Sequence, residues 1–367
     1  MNLIVSLRRA LPIRCTWLGV AEQIGLRGTR IRRVKKTALG REVHLALNPP
    51  ATPSHVQRMA EQIAVAYGVA RVRILFDPLR ADRVALALDE KLGVGFVSFP
   101  QDTRPVWVPL DPLRPFSVGI DDNAEPVGGS FYGQHILIAG SPGAGKSFAL
   151  RVFLAHLSTS RFVALYGIDP KSAELALWSR RFTKVVLGNE AQPTINLLTH
   201  LLGEIQRRAT HLATTGTASL RPSKEFPWIC LVIDEWAELA AGGETKERTA
   251  AFALLRRYVS LGRAVGCTAI LCTQRPTSDT IDVGTRALLN HRFALRCGDK
   301  YQAEAILGIG TYEQSDLSGT TGRALWSDGG PVRPVQFYEV SDSAVPNLTC
   351  AGLRISESVS FSKEKSN

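Results

Sequence analysis

No stretch of this 367-residue chain is apolar for the roughly 18–20 residues that a bilayer crossing needs. Met1 to Leu7 is too short an apolar start, ahead of Arg8, for a signal peptide. Cysteine is scarce: there are six, with no C-x-x-C pair and no histidine-rich neighbourhood. Four of them lie in or beside apolar runs, so they read as reduced packing residues rather than disulfides or metal ligands. Internal repeats and long low-complexity segments are also missing, which excludes solenoid and fibrous classes. Acid is nearly absent from residues 1–41, where ten Arg or Lys face Glu22 alone. Of the chain's 44 bases and 33 acids that leaves 34 and 32 for the remainder, so the net charge of +11 belongs mostly to a basic N-terminal arm over residues 1–40. Such an arm suits contact with phosphates or lipid headgroups, or simple solvation. The location expected is cytoplasmic, with peripheral attachment at the inner face of a membrane left open.

After the arm, Glu42–Leu47 reads as a strand closed by Asn48-Pro49-Pro50, and a helix capped by Ser54 follows, with Val56, Met59, Ala60, Ile63, Ala64 and Tyr67 at helical spacing. Strands over 69–76 and 83–88 complete a small α/β accessory domain, which with a connector holding Pro100, Pro105, Pro109, Pro112 and Pro115 spans residues 41–115. From 116 to 340 short apolar runs alternate with helices, the pattern of a mostly parallel α/β sheet. The runs are His135–Ala139, Phe162–Ile168, Ile229–Ile233 and Thr268–Cys272, and one long amphipathic helix runs from about Ile195 to Gly216. Residues 341–367 form a polar tail.

The strongest motif is Gly140-Ser141-Pro142-Gly143-Ala144-Gly145-Lys146-Ser147, which fits G-x-x-x-x-G-K-[ST] and leads into Phe148. The glycines let backbone N–H groups curl around phosphates, and the helix beginning near Lys146 offers its positive end to the same anion. Lys146 is expected on the β- and γ-phosphates of ATP and Ser147 on Mg²⁺. A second carboxylate for the metal comes from Asp234, at the tip of the apolar run 230–233, and the adjacent Glu235 is placed to act as general base on the attacking water. That glutamate, with an extra strand between the two motifs, suits the RecA-like branch of P-loop ATPases. In that branch Gln274, after the next strand, is expected to sense the γ-phosphate.

These blocks resemble the FtsK/SpoIIIE family of DNA translocases. The resemblance is carried by His135-Ile-Leu-Ile-Ala-Gly with its P-loop, Ile168-Asp169-Pro170-Lys171 followed by Glu174-Leu175, Ile233-Asp234-Glu235-Trp236-Ala237-Glu238-Leu239, and Gly262-Arg263-Ala264 leading into Thr273-Gln274-Arg275-Pro276. It implies a ring, a homo-hexamer, that draws double-stranded DNA through a pore, with nucleotide between subunits and Arg263 as the arginine finger of the neighbouring site. It implies DNA contact by Lys300, in the loop 297–301, and structural roles for Arg292 and Arg296. The short basic chain is further similar to transfer proteins of actinomycete mobile elements, which implies conjugative transfer as an alternative to chromosome partitioning, and a membrane or channel protein as partner. Two other functions fit the same motifs. One is a coupling ATPase that delivers single-stranded DNA or protein to a secretion channel, against which the want of aromatics around Tyr301 counts. The other is a nucleotide-gated scaffold, against which Glu235 and Arg263 count.

Overall fold

The structure is a computed structural model that describes residues 13–37, 40–76, 80–90, 111–241, 245–274, 283–308, 321–346 and 348. The first twelve residues of the arm, most of the proline-rich connector, Arg275-Pro276 and the tail from 349 onward lie outside these. The chain divides into two compact units, Met1–Gly95 with Asp121–Glu125, and Phe96–Ile120 with Pro126–Asn367.

In the first unit, helix α1 (Ile13–Gln23) precedes strands β1 (Thr29–Lys36) and β2 (Gly40–Leu47). Helices α2 (Pro53–Arg58) and α3 (Ala60–Tyr67) lead to β3 (Arg71–Phe76) and β4 (Arg83–Asp89). The four strands form an antiparallel sheet in the order β1-β2-β4-β3. Strict alternation on β2 turns Val43, Leu45 and Leu47 to one face, where they meet Leu86 and Leu88 of β4 and Val56, Ile63 and Tyr67 of the helices. The cap of α2 is Thr52 rather than Ser54: its hydroxyl accepts the His55 N–H at 3.2 Å, with Pro53 in the first turn.

The basic arm is only partly an arm. Residues 13–36 belong to this small unit, because Ile13, Trp17, Val20 and Ala21 recur at helical spacing and are all buried in its core. The Trp17 indole donates to Thr29 at 3.0 Å, tying α1 to the start of β1.

The second unit opens with the hairpin β5 (Phe116–Ile120) and β6 (Pro126–Gly129). Then come β7 (Ile136–Ala139), α4 (Lys146–Ser158), β8 (Val163–Asp169), β9 (Lys184–Leu187), α5 (Ala191–Thr215), β10 (Trp228–Ile233), α6 (Trp236–Ala241), α7 (Thr245–Gly262), β11 (Cys267–Thr273), α8 (Val283–Leu288), β12 (His291–Leu295), α9 (Lys300–Leu307), β13 (Arg323–Ser327) and β14 (Arg333–Phe337). They build one ten-stranded sheet in the order β6-β5-β14-β13-β12-β7-β11-β10-β8-β9. The six strands from β12 to β9 are parallel and the remaining pairings antiparallel. β7, β10 and β11 are buried along their whole length, as both faces of a parallel sheet are covered.

One connection decides the site. β11 lies between the P-loop strand β7 and the acid-tipped strand β10. All three run parallel, so their C-terminal tips meet at one edge of the sheet, which is where open α/β sheets take ligands. No described helix is long and apolar enough to cross a membrane. The five described cysteines are free, and all but Cys15 are buried.

Three buried histidines give this unit a pH limit. His135 accepts the Ala269 N–H on Nδ1 at 3.0 Å, and the Nε2 of His156 lies 2.8 Å from the Ser117 carbonyl. Burial holds His135, His156 and His291 each down to a pKa of about 4. A histidine of ordinary pKa 6.5 in the unfolded chain then takes up a proton that the folded chain refuses. Stability is therefore full above pH 6.5 and falls as pH drops towards 4, by about 2 kcal/mol per histidine at pH 5. Denaturant melts at pH 7 and pH 5 measure this, and equal midpoints would refute it.

Candidate nucleotide site

The P-loop begins where β7 ends. The Gly140 N–H donates to the Thr273 carbonyl at 3.3 Å and the Ser141 N–H to the Arg296 carbonyl at 2.8 Å, so neighbours on both sides hold the loop. Ala144 closes a turn onto the Ser141 carbonyl at 3.1 Å. Gly143 and Gly145 take φ values of +73° and +102°. At Gly145 a Cβ would also collide with the Gly322 backbone, whose N–H donates to Ala144 at 3.0 Å. Glycine is thus required at 145 twice over, by conformation and by contact. Pro142 is exposed, and Ser147 and Phe148 fill the first turn of α4 beside Lys146. The unsatisfied N–H groups of that turn face the loop.

Three side chains converge on the P-loop. The Lys146 ammonium lies 3.0 Å from Asp234 Oδ1 and donates to Glu235 Oε2 at 3.1 Å. Burial disfavours its charge, yet the surrounding negative groups, Asp234 and Glu235 among them, raise its pKa overall. Burial likewise pushes the Asp234 carboxyl up, against the pull of Lys146. Glu235 is 1% exposed. Its Oε1 accepts the Gln274 backbone N–H at 3.0 Å and the Thr273 hydroxyl at 3.3 Å. Its own backbone stands at φ +63°, a left-handed conformation that non-glycine residues seldom take and that costs on the order of 1–3 kcal/mol. The sharp turn lets Asp234 and Glu235, neighbours in sequence, both reach Lys146.

The donor set fits a hard divalent cation. Asp234 Oδ1 is buried and receives no aligned hydrogen bond despite the nearby lysine. Ser147, partly buried in the first turn of α4 next to Lys146, carries the other oxygen of the set. Among the described residues no group of three or more His, Cys, Asp or Glu is placed to hold a metal. Mg²⁺ commonly binds through phosphates, water and one or two side chains.

Asp169, within the Asp-Pro-Lys block, is fully buried. Its carboxylate accepts the backbone N–H groups of Lys171 at 3.0 Å, Ala173 at 2.9 Å and Leu175 at 3.0 Å. Pro170 between them has no N–H to satisfy. Lys171, for which sequence supplies no role, reaches Glu238 at 3.4 Å, just beyond Glu235. Asp169→Ala would strand three donors and is expected to lower unfolding stability by roughly 3 kcal/mol or more, measured by denaturant titration; a loss within error would remove this account of the block.

Other expected site residues lie elsewhere. Arg263 occupies a 3₁₀ turn before β11, at the opposite end of that strand from Gln274. It is exposed and makes no ion pair with any described residue. Lys300 is not in a loop: Asp299 caps α9 by accepting the Gln302 N–H at 2.8 Å, so Lys300 takes the first helical position. Its ammonium, 63% exposed, stands 3.8 Å from Glu304 one turn on. Arg292 is structural as expected, donating to the Leu289 carbonyl at 2.9 Å. Arg296 is different: beyond its carbonyl contact, the guanidinium is exposed and lies 3.9 Å from where a Cβ of Gly143 would stand.

Residues 114–226 match the family model FtsK/SpoIIIE family. Among curated relatives, the DNA translocase FtsK of Chlorobaculum tepidum is 31% identical over 201 residues, 49% of this chain and 24% of its own length. That of Oceanobacillus iheyensis is 24% identical over 321 residues, 80% of this chain and 40% of its own. The chain spans about a fifth to two fifths of the length of such relatives. Among solved structures, the monomer form with ATPγS of the pCW3 conjugation coupling protein TcpA superposes with a TM-score of 0.64, covering 91% of this chain and 98% of that one. At 18% identity that likeness is one of fold. The fold is therefore a P-loop ATPase fold, and the family that the Asp169-Pro170-Lys171 and Thr273-Gln274 blocks resemble, FtsK/SpoIIIE, is the one the chain matches.

Proposed function

We propose that the chain is an ATP-driven translocase of double-stranded DNA, working as a homo-hexamer in conjugative transfer or chromosome partitioning. The observation that carries the reading is the convergence of Lys146, Asp234, Glu235 and the tip of β11 on a P-loop set within an FtsK/SpoIIIE sequence match. The loop and the start of α4 would bind the phosphates through backbone N–H groups, with Lys146 adding its charge. Ser147 and Asp234 would hold Mg²⁺, which when bound neutralises phosphate charge. Glu235, tied through Oε1 to the tip of β11, keeps Oε2 towards Lys146 and would take the proton of the attacking water. Gln274 would report the γ-phosphate. Arg263 would complete the site of an adjacent subunit, because its place at the far end of β11 leaves it out of reach of its own P-loop.

A second reading, a conjugative coupling ATPase that handles single-stranded DNA or protein, is supported by the likeness to TcpA, which spans 98% of that chain. ATP hydrolysis measured without DNA, with single-stranded DNA and with duplex, at low and moderate salt, separates the two. Stimulation by duplex alone is the expected result. Stimulation by single strands selects the coupling reading, and no response to either overturns translocation.

A further inference from the structure

We infer that the face of the small unit's sheet opposite its core helices is a second nucleic-acid site, a basic trough that grips the phosphate backbone of duplex DNA. The inference rests on the translocase reading for its ligand and on the first unit alone for its geometry.

Register defines the trough. The core helices pack on the face carrying Val43, Leu45, Leu86 and Leu88. On the other face Arg33 pairs with His44, His44 with Ala85, and Ala85 with Leu75; one row along, Arg30 pairs with Ala46 and Ala46 with Arg83. Small side chains on the two central strands, Ala46 and Ala85, thus make a low floor beside Arg30 and Arg33 of the edge strand β1, with Arg83 at one end and Leu75 of β3 on the far side. A cavity of about 610 Å³ opens there, and Arg32, Arg33 and Arg83 contribute to its lining. β1 carries a bulge between Ile31 and Arg33, where Arg32 has no partner in β2. The extra residue re-aims the strand so that two consecutive arginines line one cavity, which regular alternation would forbid.

Charge is left uncompensated at this end of the sheet and not at the other. Arg71 and Arg73 both bind the buried Asp89, at 3.1 and 2.8 Å, and Arg41 binds Glu90 at 3.0 Å. Glu42 also lines the cavity, its carboxylate 2.6 Å from the His44 imidazole, one acid among three arginines. Arg32, Arg33 and Arg83 make no ion pair with any described residue, and the Nε of Arg83 is buried with no hydrogen-bond partner. Exposed Arg30, Lys35 and Lys36 extend the same edge strand. Charges on an edge strand can serve merely to prevent edge-to-edge pairing. That purpose needs neither a cavity nor a buried, unsatisfied guanidinium nitrogen. The lining offers guanidinium forks, which suit phosphate oxygens, and its one ring, the His44 imidazole, is held against Glu42 at 2.6 Å, leaving no Phe, Tyr or Trp for bases to stack on. The ligand is thus backbone, and duplex rather than single strand.

The test is duplex binding by the full chain, followed by fluorescence anisotropy across a salt series, for wild type, Arg32→Ala/Arg33→Ala and Arg32→Lys/Arg33→Lys. Each phosphate contact contributes about 0.9 to the slope of log K against log salt, so the alanine pair should flatten that slope by about 2. Affinity at moderate salt should weaken about tenfold or more, equally for unrelated sequences, while the lysine pair, which keeps the charge but loses the fork, retains the wild-type slope and DNA-free ATP hydrolysis is unchanged. Wild type that binds duplex, with an alanine pair of the same slope and affinity, overturns this site and leaves the translocase reading intact. Wild type that neither binds nor responds to duplex overturns both. Loss of binding to phosphatidylserine vesicles with duplex binding retained would make the trough a membrane contact and likewise overturn the proposal.

Discussion

Glutamine at position 235 is expected to lower ATP turnover by ~10²–10⁴-fold while ATP still binds. The substitution keeps the shape of the side chain and the acceptor that the Gln274 N–H and Thr273 hydroxyl use, and removes the ability to take a proton together with the negative charge. Because Lys146 also touches Glu235, at 3.1 Å, a change in its ammonium environment is unavoidable. Lys146→Ala supplies the contrast: it should abolish nucleotide binding as well as turnover, since it deletes the one cation within the P-loop. Binding measured with a fluorescent ATP analogue and turnover by phosphate release separate the two variants. Full turnover in Glu235→Gln would remove the general base from the scheme and favour a scaffold that needs only to bind.

Arg263→Ala carries the second large effect, a fall in turnover of about 10³-fold or more if the guanidinium meets the developing charge of phosphoryl transfer. The geometry sharpens this into a test of assembly. Arg263 precedes β11 and Glu235 lies past its other end, so within one chain the two are held apart by the length of the strand. Mixing Arg263→Ala subunits with Glu235→Gln subunits, each inactive alone, should therefore restore measurable turnover, because some interfaces then join an intact Glu235 to an intact Arg263. Mixtures as dead as their components would mean that Arg263 serves only its own chain.

Much of this site was legible in the sequence for a physical reason: its parts are strand tips. A buried parallel strand must be an apolar run, and the residue just past it must lie at the ligand edge of the sheet. Lys146, Asp234, Glu235 and Gln274 were thus placed by position alone, before any contact was known. Contacts made across the chain left no such signal. Thr273 holds Glu235 and Gly322 backs Gly145, yet each looks locally like an ordinary strand or turn residue. The first helix and strand were obscured by charge. The apolar spacing of Ile13, Trp17 and Val20 was present, but β1 reads Thr-Arg-Ile-Arg-Arg-Val-Lys-Lys, and its bulge breaks the alternation that would have marked it. Lys300 was misplaced because Asp299, its helix cap, also reads as a turn residue.

The seven residues of β11 have a mechanical meaning in any ring of the proposed kind. Extended strand rises about 3.3 Å per residue, so β11 is a strut of roughly 23 Å, hydrogen-bonded on both sides and therefore stiff along its length. One end is tethered to the carboxylate that would meet water in its own subunit; the other carries the arginine destined for the next. Because both neighbours hold its register, a shift of Gln274 would reach Arg263 only by carrying β7 and β10 along with β11. In the proposed ring the sheet as a whole, not one strand, would thus be the body that links one subunit's nucleotide to the next subunit's arginine.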